Sequence, residues 1–184
     1  MKDPRDIPDS DMPLIVFSDN SSGWLEFIIK FRTKGYWNHI MFCRKKGFFV
    51  SQGNTYSEVG MERYMKKGSE LKFIRIIGLT NADRESLLES IEKKLKSKWY
   101  RKMYDWVGIL GQAIGIKKLN TPGLNYCSED VTFHLKNIAM FCNKPLSDVL
   151  IGIPDHTSPE GMNEYFKSNP ECFEVYGKWD ADDS

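Results

Sequence analysis

Two β-prone runs, residues 39–43 and 48–52, stand either side of Arg44-Lys45-Lys46-Gly47, a polar turn whose glycine can take positive φ. Strands joined by so short a turn run in opposite senses, so this hairpin commits the chain to an antiparallel sheet. Residues 14–17 read as a further buried strand, and residues 71–77, almost continuously apolar, as a strand covered on both faces. A sheet of at least four strands is expected, with residues 172–176 as a last strand.

Helical patterns alternate with these runs. Residues 18–22 are rich in N-cap side chains, and a helix through Trp24, Phe27, Ile28 and Phe31 is expected to follow and to end at Gly35. From Asp83, the residues Leu87, Leu88, Ile91, Leu95 and Trp99 recur three and four apart, as one face of an amphipathic helix does. Lys93, Lys94, Lys96, Lys98, Arg101 and Lys102 read as its solvated face and cationic last turn rather than as a phosphate patch. Residues 104–114 read as a more buried helix and 115–125 as a loop. Another helix begins near Cys127, where Val131, Leu135, Ile138 and Cys142 form a stripe that projects back through Cys127 itself. Thr157-Ser158-Pro159-Glu160 carries the N-cap and proline of a short helix. The class is therefore α+β: a flexible segment at 1–12, one domain over 13–179 and an acidic tail at 180–184.

Composition narrows the function classes. The chain is 41% hydrophobic and 28% charged, the balance of a globular domain that builds its core without disulfides. Its formal charge of +1 supplies no field for coating nucleic acid. No apolar run approaches the roughly 18 residues of a membrane span, and the polar, acidic start does not resemble a signal peptide. A soluble protein, cytoplasmic or carried in a phage particle, is the expectation. The four cysteines include no Cys-x-x-Cys pair, and no phosphate loop, dinucleotide fingerprint or metal-binding helix is present, so neither metal nor cofactor is expected.

Chemistry centres on Cys127. A cysteine at a helix N-terminus lies where free backbone N–H groups favour the thiolate, and the same amides can bind the oxyanion formed when a carbonyl is attacked. A buried, inert thiol is the competing reading. Of the three histidines, His134 lies about 10 Å along the same helix, too far to act as base. His156 falls in a polar loop, whereas His39 opens a strand of the core sheet, a costly place for an imidazole without a partner. A two-residue loop at Lys45-Lys46 would set Gln52 opposite His39, where an amide could orient the ring. A longer loop ending at Gly47 would put Gly53 there and leave Ser51 as the nearest polar side chain on that face.

The order of these parts, His39-Ile40-Met41-Phe42, then Gln52, then Asn125-Tyr126-Cys127-Ser128-Glu129, resembles the circularly permuted NlpC/P60, or permuted papain-like, cysteine hydrolases of the YiiX/YebB type over residues 13–142. The resemblance implies a permuted papain-like fold and hydrolysis of an amide or ester through an acyl-thioenzyme. Cys127 would be the nucleophile, His39 the base and Gln52, where the family commonly has glutamate, the orienting group. Backbone N–H groups of Cys127 and Ser128 would form the oxyanion site. The implied substrates are a cell-wall peptide, another peptide or an acyl compound. The alternative is a structural or adaptor protein with virion-associated partners that keeps the fold with little catalysis. Asp130 departs from the family, which has an aliphatic residue there.

Overall fold

The computed structural model describes residues 3–19, 35–52, 55–98 and 127–182. The expected helices at 24–31 and 104–114 and the loop at 115–125 lie outside the described residues. Six strands form one antiparallel sheet: β1 (Leu14–Ser18), β2 (His39–Lys45), β3 (Phe48–Gln52), β4 (Tyr56–Gly60), β5 (Glu70–Ile76) and β6 (Phe173–Asp180), in spatial order β4-β3-β2-β1-β5-β6. Among the described residues four α-helices accompany it: α1 (Asn81–Leu95), α2 (Cys127–Ala139), α3 (Lys144–Ile151) and α4 (Pro159–Lys167). The described helices are all too short or too polar to cross a membrane.

The central strand β1 is buried along its whole length, which matches its unbroken apolar run. Alternation along the neighbouring strands then builds two cores. Ile40 and Phe42 of β2 and Val50 of β3 join Leu87 and Ile91 of α1 and Cys127, Val131, Leu135 and Ile138 of α2 in the helix-side core. Met41, Cys43 and Phe49 face the other way, onto Ile7, Met12, Met61 and Trp179. Residues 3–12, expected to be flexible, instead make two 3-10 turns, Pro4–Asp6 and Asp9–Asp11, and bury Ile7 and Met12 as part of the cover on this face. Asp180, expected in the acidic tail, closes β6 opposite Glu70.

Among the described strands and α-helices, two have no counterpart in the sequence expectations. β4 is the polar, half-buried edge strand Tyr-Ser-Glu-Val-Gly, and α3 begins at an Asn143 cap whose side chain accepts from the Leu146 N–H. The helix starts are set by side chains. Thr80 and Asp83 form a reciprocal capping box on α1, and Ser158 accepts from the Gly161 N–H on α4.

The approach to β2 is held from α4. Glu160 Oε2 accepts from the N–H groups of Tyr36 at 2.6 Å and Trp37 at 3.0 Å, while its Oε1 accepts from Asn163 Nδ2 at 2.8 Å. Asn163 Oδ1 in turn takes the buried Lys72 ammonium of β5 at 2.6 Å. With the Asn38 N–H bonded to the Ser18 carbonyl, this chain of contacts fixes where His39 enters the sheet.

Candidate active site around Cys127 and His39

The backbone N–H groups of Ile40, Ser128 and Cys127 itself lie around the Cys127 sulfur and act to lower its pKa. The last two belong to the first turn of α2, where amides have no carbonyl four residues back. The first reaches across from β2, so the thiol sits against the residue that follows His39. These donors favour the thiolate, but burial outweighs them and pushes the thiol up to about 12. Cys127 is 2% exposed and is a neutral thiol at neutral pH in this arrangement.

His39 lies on the opposite side of the strand. Its parity matches Met41 and Cys43, and its ring stacks on Tyr64, with centroids 5.7 Å apart and planes 6° from parallel. Nε2 is 2.6 Å from Ser51 Oγ, which is 2.9 Å from Tyr64 OH. Burial holds the imidazole down to about 4, with the Arg63 charge adding to the effect, so the ring is neutral. The structure thus brings Cys127 to the backbone beside His39 but places the imidazole with Ser51 and Tyr64, on the sheet face away from α2.

The expected pairing of Gln52 with His39 is corrected by the register. The turn centres on Lys46 and Gly47, the latter at φ 79°, and Lys45 pairs with Phe48. A bulge at Arg44 then shifts the ladder, so that Cys43 pairs with Phe49 and Phe42 with Val50. Extending that register carries His39 past Gln52, and Ser51 becomes its neighbour on the same face, as the longer-loop alternative requires. Gln52 is buried on the helix-side face of the sheet, with the parity of Val50, and pairs with Tyr56 in β4.

The other two histidines are both engaged. His134 is completely buried, with Nδ1 2.8 Å from Ser90 Oγ and Nε2 3.2 Å from Tyr56 OH. His156, at φ 56°, contacts Glu129 through Nδ1. Neighbouring contacts run along the same stretch of α2: Ser128 Oγ donates to the Thr157 carbonyl, and Lys136 Nζ lies 2.7 Å from Asp155. Residues 156 and 157 therefore dock on the first turn of α2 beside Cys127, and Asp155 reaches Lys136 in its last turn. Sequence reading had the polar loop but not this docking, whose one visible signal is the acidic Glu129 facing a histidine elsewhere in the chain. Among the described residues no cluster of His, Cys, Asp and Glu has the makings of a metal site.

The half-buried His39 and the fully buried His134 make stability depend on pH. Both His39 and His134 have pKa values lowered by burial, so their contribution is complete above the unfolded value near 6.5 and is lost as pH falls through and below it. For His39 the shift toward 4 corresponds to at most about 3 kcal/mol at pH 4. Urea unfolding of the wild type and His39→Gln should run parallel above pH 7 and converge or cross between pH 6.5 and 4. Curves parallel through pH 4 would show that His39 takes up its proton in the folded state at the ordinary value.

No family model, no curated protein and no solved structure matches this chain.

Proposed function

We propose that the chain is a cysteine hydrolase with a permuted papain-like (NlpC/P60) fold that cleaves an amide or ester bond of a peptide, cell-wall or acyl substrate. The observation that carries this reading is the placement of Cys127 as the first residue of α2, packed against Ile40 of β2, where the N–H groups of Ile40, Ser128 and Cys127 act to lower its pKa. In the reaction Cys127 Sγ attacks the carbonyl carbon, and the thiol proton passes to His39. The N–H groups of Cys127 and Ser128 receive the developing oxyanion. The leaving amine or alcohol takes the proton from His39, and water, deprotonated by the same ring, releases the acyl group. Because His39 projects from the sheet face away from α2, this sequence requires the backbone at the start of β2 to turn over so that the ring leaves Ser51 for the Cys127 thiol, with Ser51 and Tyr64 holding the resting ring.

A second reading, a structural or adaptor protein that keeps the fold, is favoured by the burial of the thiol and by the placement of the His39 ring with Ser51. Incubation with p-nitrophenyl acetate separates the two. A hydrolase should release a burst of p-nitrophenolate and carry one acetyl group on the Cys127 peptide. Absence of the acetyl-enzyme, together with four slow and similar thiol reactivities toward iodoacetamide, would establish the adaptor reading.

A further inference from the structure

Cys127, Asp130 and His134 share one face of α2, three and then four residues apart. The last two are the centre of a buried polar network that the proposed reaction does not use. His134 is fully buried and Asp130 is 2% exposed. The imidazole joins Ser90 of α1 to Tyr56 of β4 through its two nitrogens. Asp130 forms an ion pair with Lys94 of α1 and lies 3.7 Å from His134 Nε2, while the Lys94 ammonium sits 4.7 Å over the Tyr56 ring. Phe42 of β2 closes the cluster, edge-on to the imidazole.

We propose that His134 and Asp130 are positioning residues for Cys127, fixing the rotation of α2 against the sheet so that the thiol stays beside the Ile40 backbone. Only the catalytic consequence rests on the hydrolase reading; the geometric claim stands without it. A buried ion pair offers little net stability over apolar side chains of similar size, so stability alone gives no reason for the network. Directional contacts supply what the rest of the interface lacks. The packing of Val131, Leu135 and Ile138 is non-directional and tolerates small rotations, whereas bonds from one imidazole to two other elements do not. A rotation of about 10° moves an atom ~5 Å from a helix axis by nearly 1 Å, enough to break an N–H···S contact.

The test uses the full chain labelled with 15N-isoleucine. His134→Phe keeps an aromatic ring and removes both hydrogen bonds, His134→Gln keeps a donor and an acceptor, and Cys127→Ala marks the Ile40 amide signal without its sulfur partner. In His134→Phe the Ile40 signal should move toward the Cys127→Ala position, and acetylation by p-nitrophenyl acetate should slow by about tenfold to a hundredfold in kcat with KM nearly unchanged. His134→Gln should restore both to within a few-fold of wild type. A folded His134→Phe with the Ile40 signal at its wild-type position, or a His134→Gln no better than His134→Phe, overturns the proposal. Should His134→Phe fail to fold, Ser90→Ala and Tyr56→Phe, each lacking one hydroxyl of the network, are read by the same criteria. A wild type that never acetylates defeats the hydrolase reading, while the Ile40 signal still decides the positioning role.

Discussion

Cys127→Ser is expected to lower acyl turnover by about a thousandfold or more while leaving the fold in place. Serine is nearly the same size as cysteine and its hydroxyl can face the same N–H groups of Ile40, Ser128 and residue 127, so packing and α2 are preserved. What is lost is nucleophilicity, because a hydroxyl is a far weaker attacking group than a thiol unless a tuned base removes its proton in step with attack. The other cysteines provide the control. Cys43 packs against Met12, with Sγ 3.1 Å from Sδ, and burial pushes its thiol up to about 12. Cys142 donates to the Ile138 carbonyl at 3.4 Å, and its thiol is pushed up to about 11. Neither carries the backbone donors found at Cys127, so Cys43→Ser, Cys142→Ser and Cys172→Ser should retain turnover wherever they fold. Release of p-nitrophenolate under steady-state conditions measures all four. Wild-type turnover in Cys127→Ser would place the nucleophile elsewhere.

The antiparallel sheet and the start of α2 were legible because their signals are local. Apolar runs mark β1 and β5, the polar turn marks the β2–β3 hairpin, and a 3.6-residue stripe marks α2. β4 was missed because a polar edge strand buried only at Tyr56 has no apolar run to announce it. α3 carries its signal in Asn143-Lys144-Pro145, a cap followed by an early proline, but is too short to show a helical apolar stripe. The site was harder. Placing His39 and Cys127 near each other in the fold needed only element order, but their facing depends on strand parity and on which sheet face α2 covers. Ile40 and Phe42, not His39 and Met41, meet that helix. One bulged residue, Arg44, was enough to exchange Gln52 for Ser51 beside the imidazole, and a bulge leaves no mark in hydrophobic periodicity.

The same limit explains Lys94, which the amphipathic pattern assigns to the wet face of α1 but which the structure turns onto Asp130, with its side chain only 13% exposed. A long side chain reaches across a helix boundary that periodicity treats as sharp. Lys94→Ala should therefore be among the most destabilising single changes in the chain, at about 3–5 kcal/mol, because it strands the Asp130 carboxylate, 3% exposed, without its cation. The nearest remaining partner, His134, has its pKa lowered by burial, which works against its replacing the lost charge. Asp130→Ala should cost less, as the lysine it releases can extend toward water. The double change Lys94→Met with Asp130→Leu should recover stability to within about 1 kcal/mol of wild type, because no buried charge is left to solvate. Urea unfolding of the three variants and the wild type at pH 7 measures these differences. A loss below about 1 kcal/mol in Lys94→Ala would mean that Asp130 is solvated in the folded chain, and the contact with Lys94 would then be no more than a surface pair. Recovery of stability without recovery of the Ile40 amide signal in the double variant would separate the two roles of the network, with the ion pair dispensable for folding but needed to hold Cys127 in place.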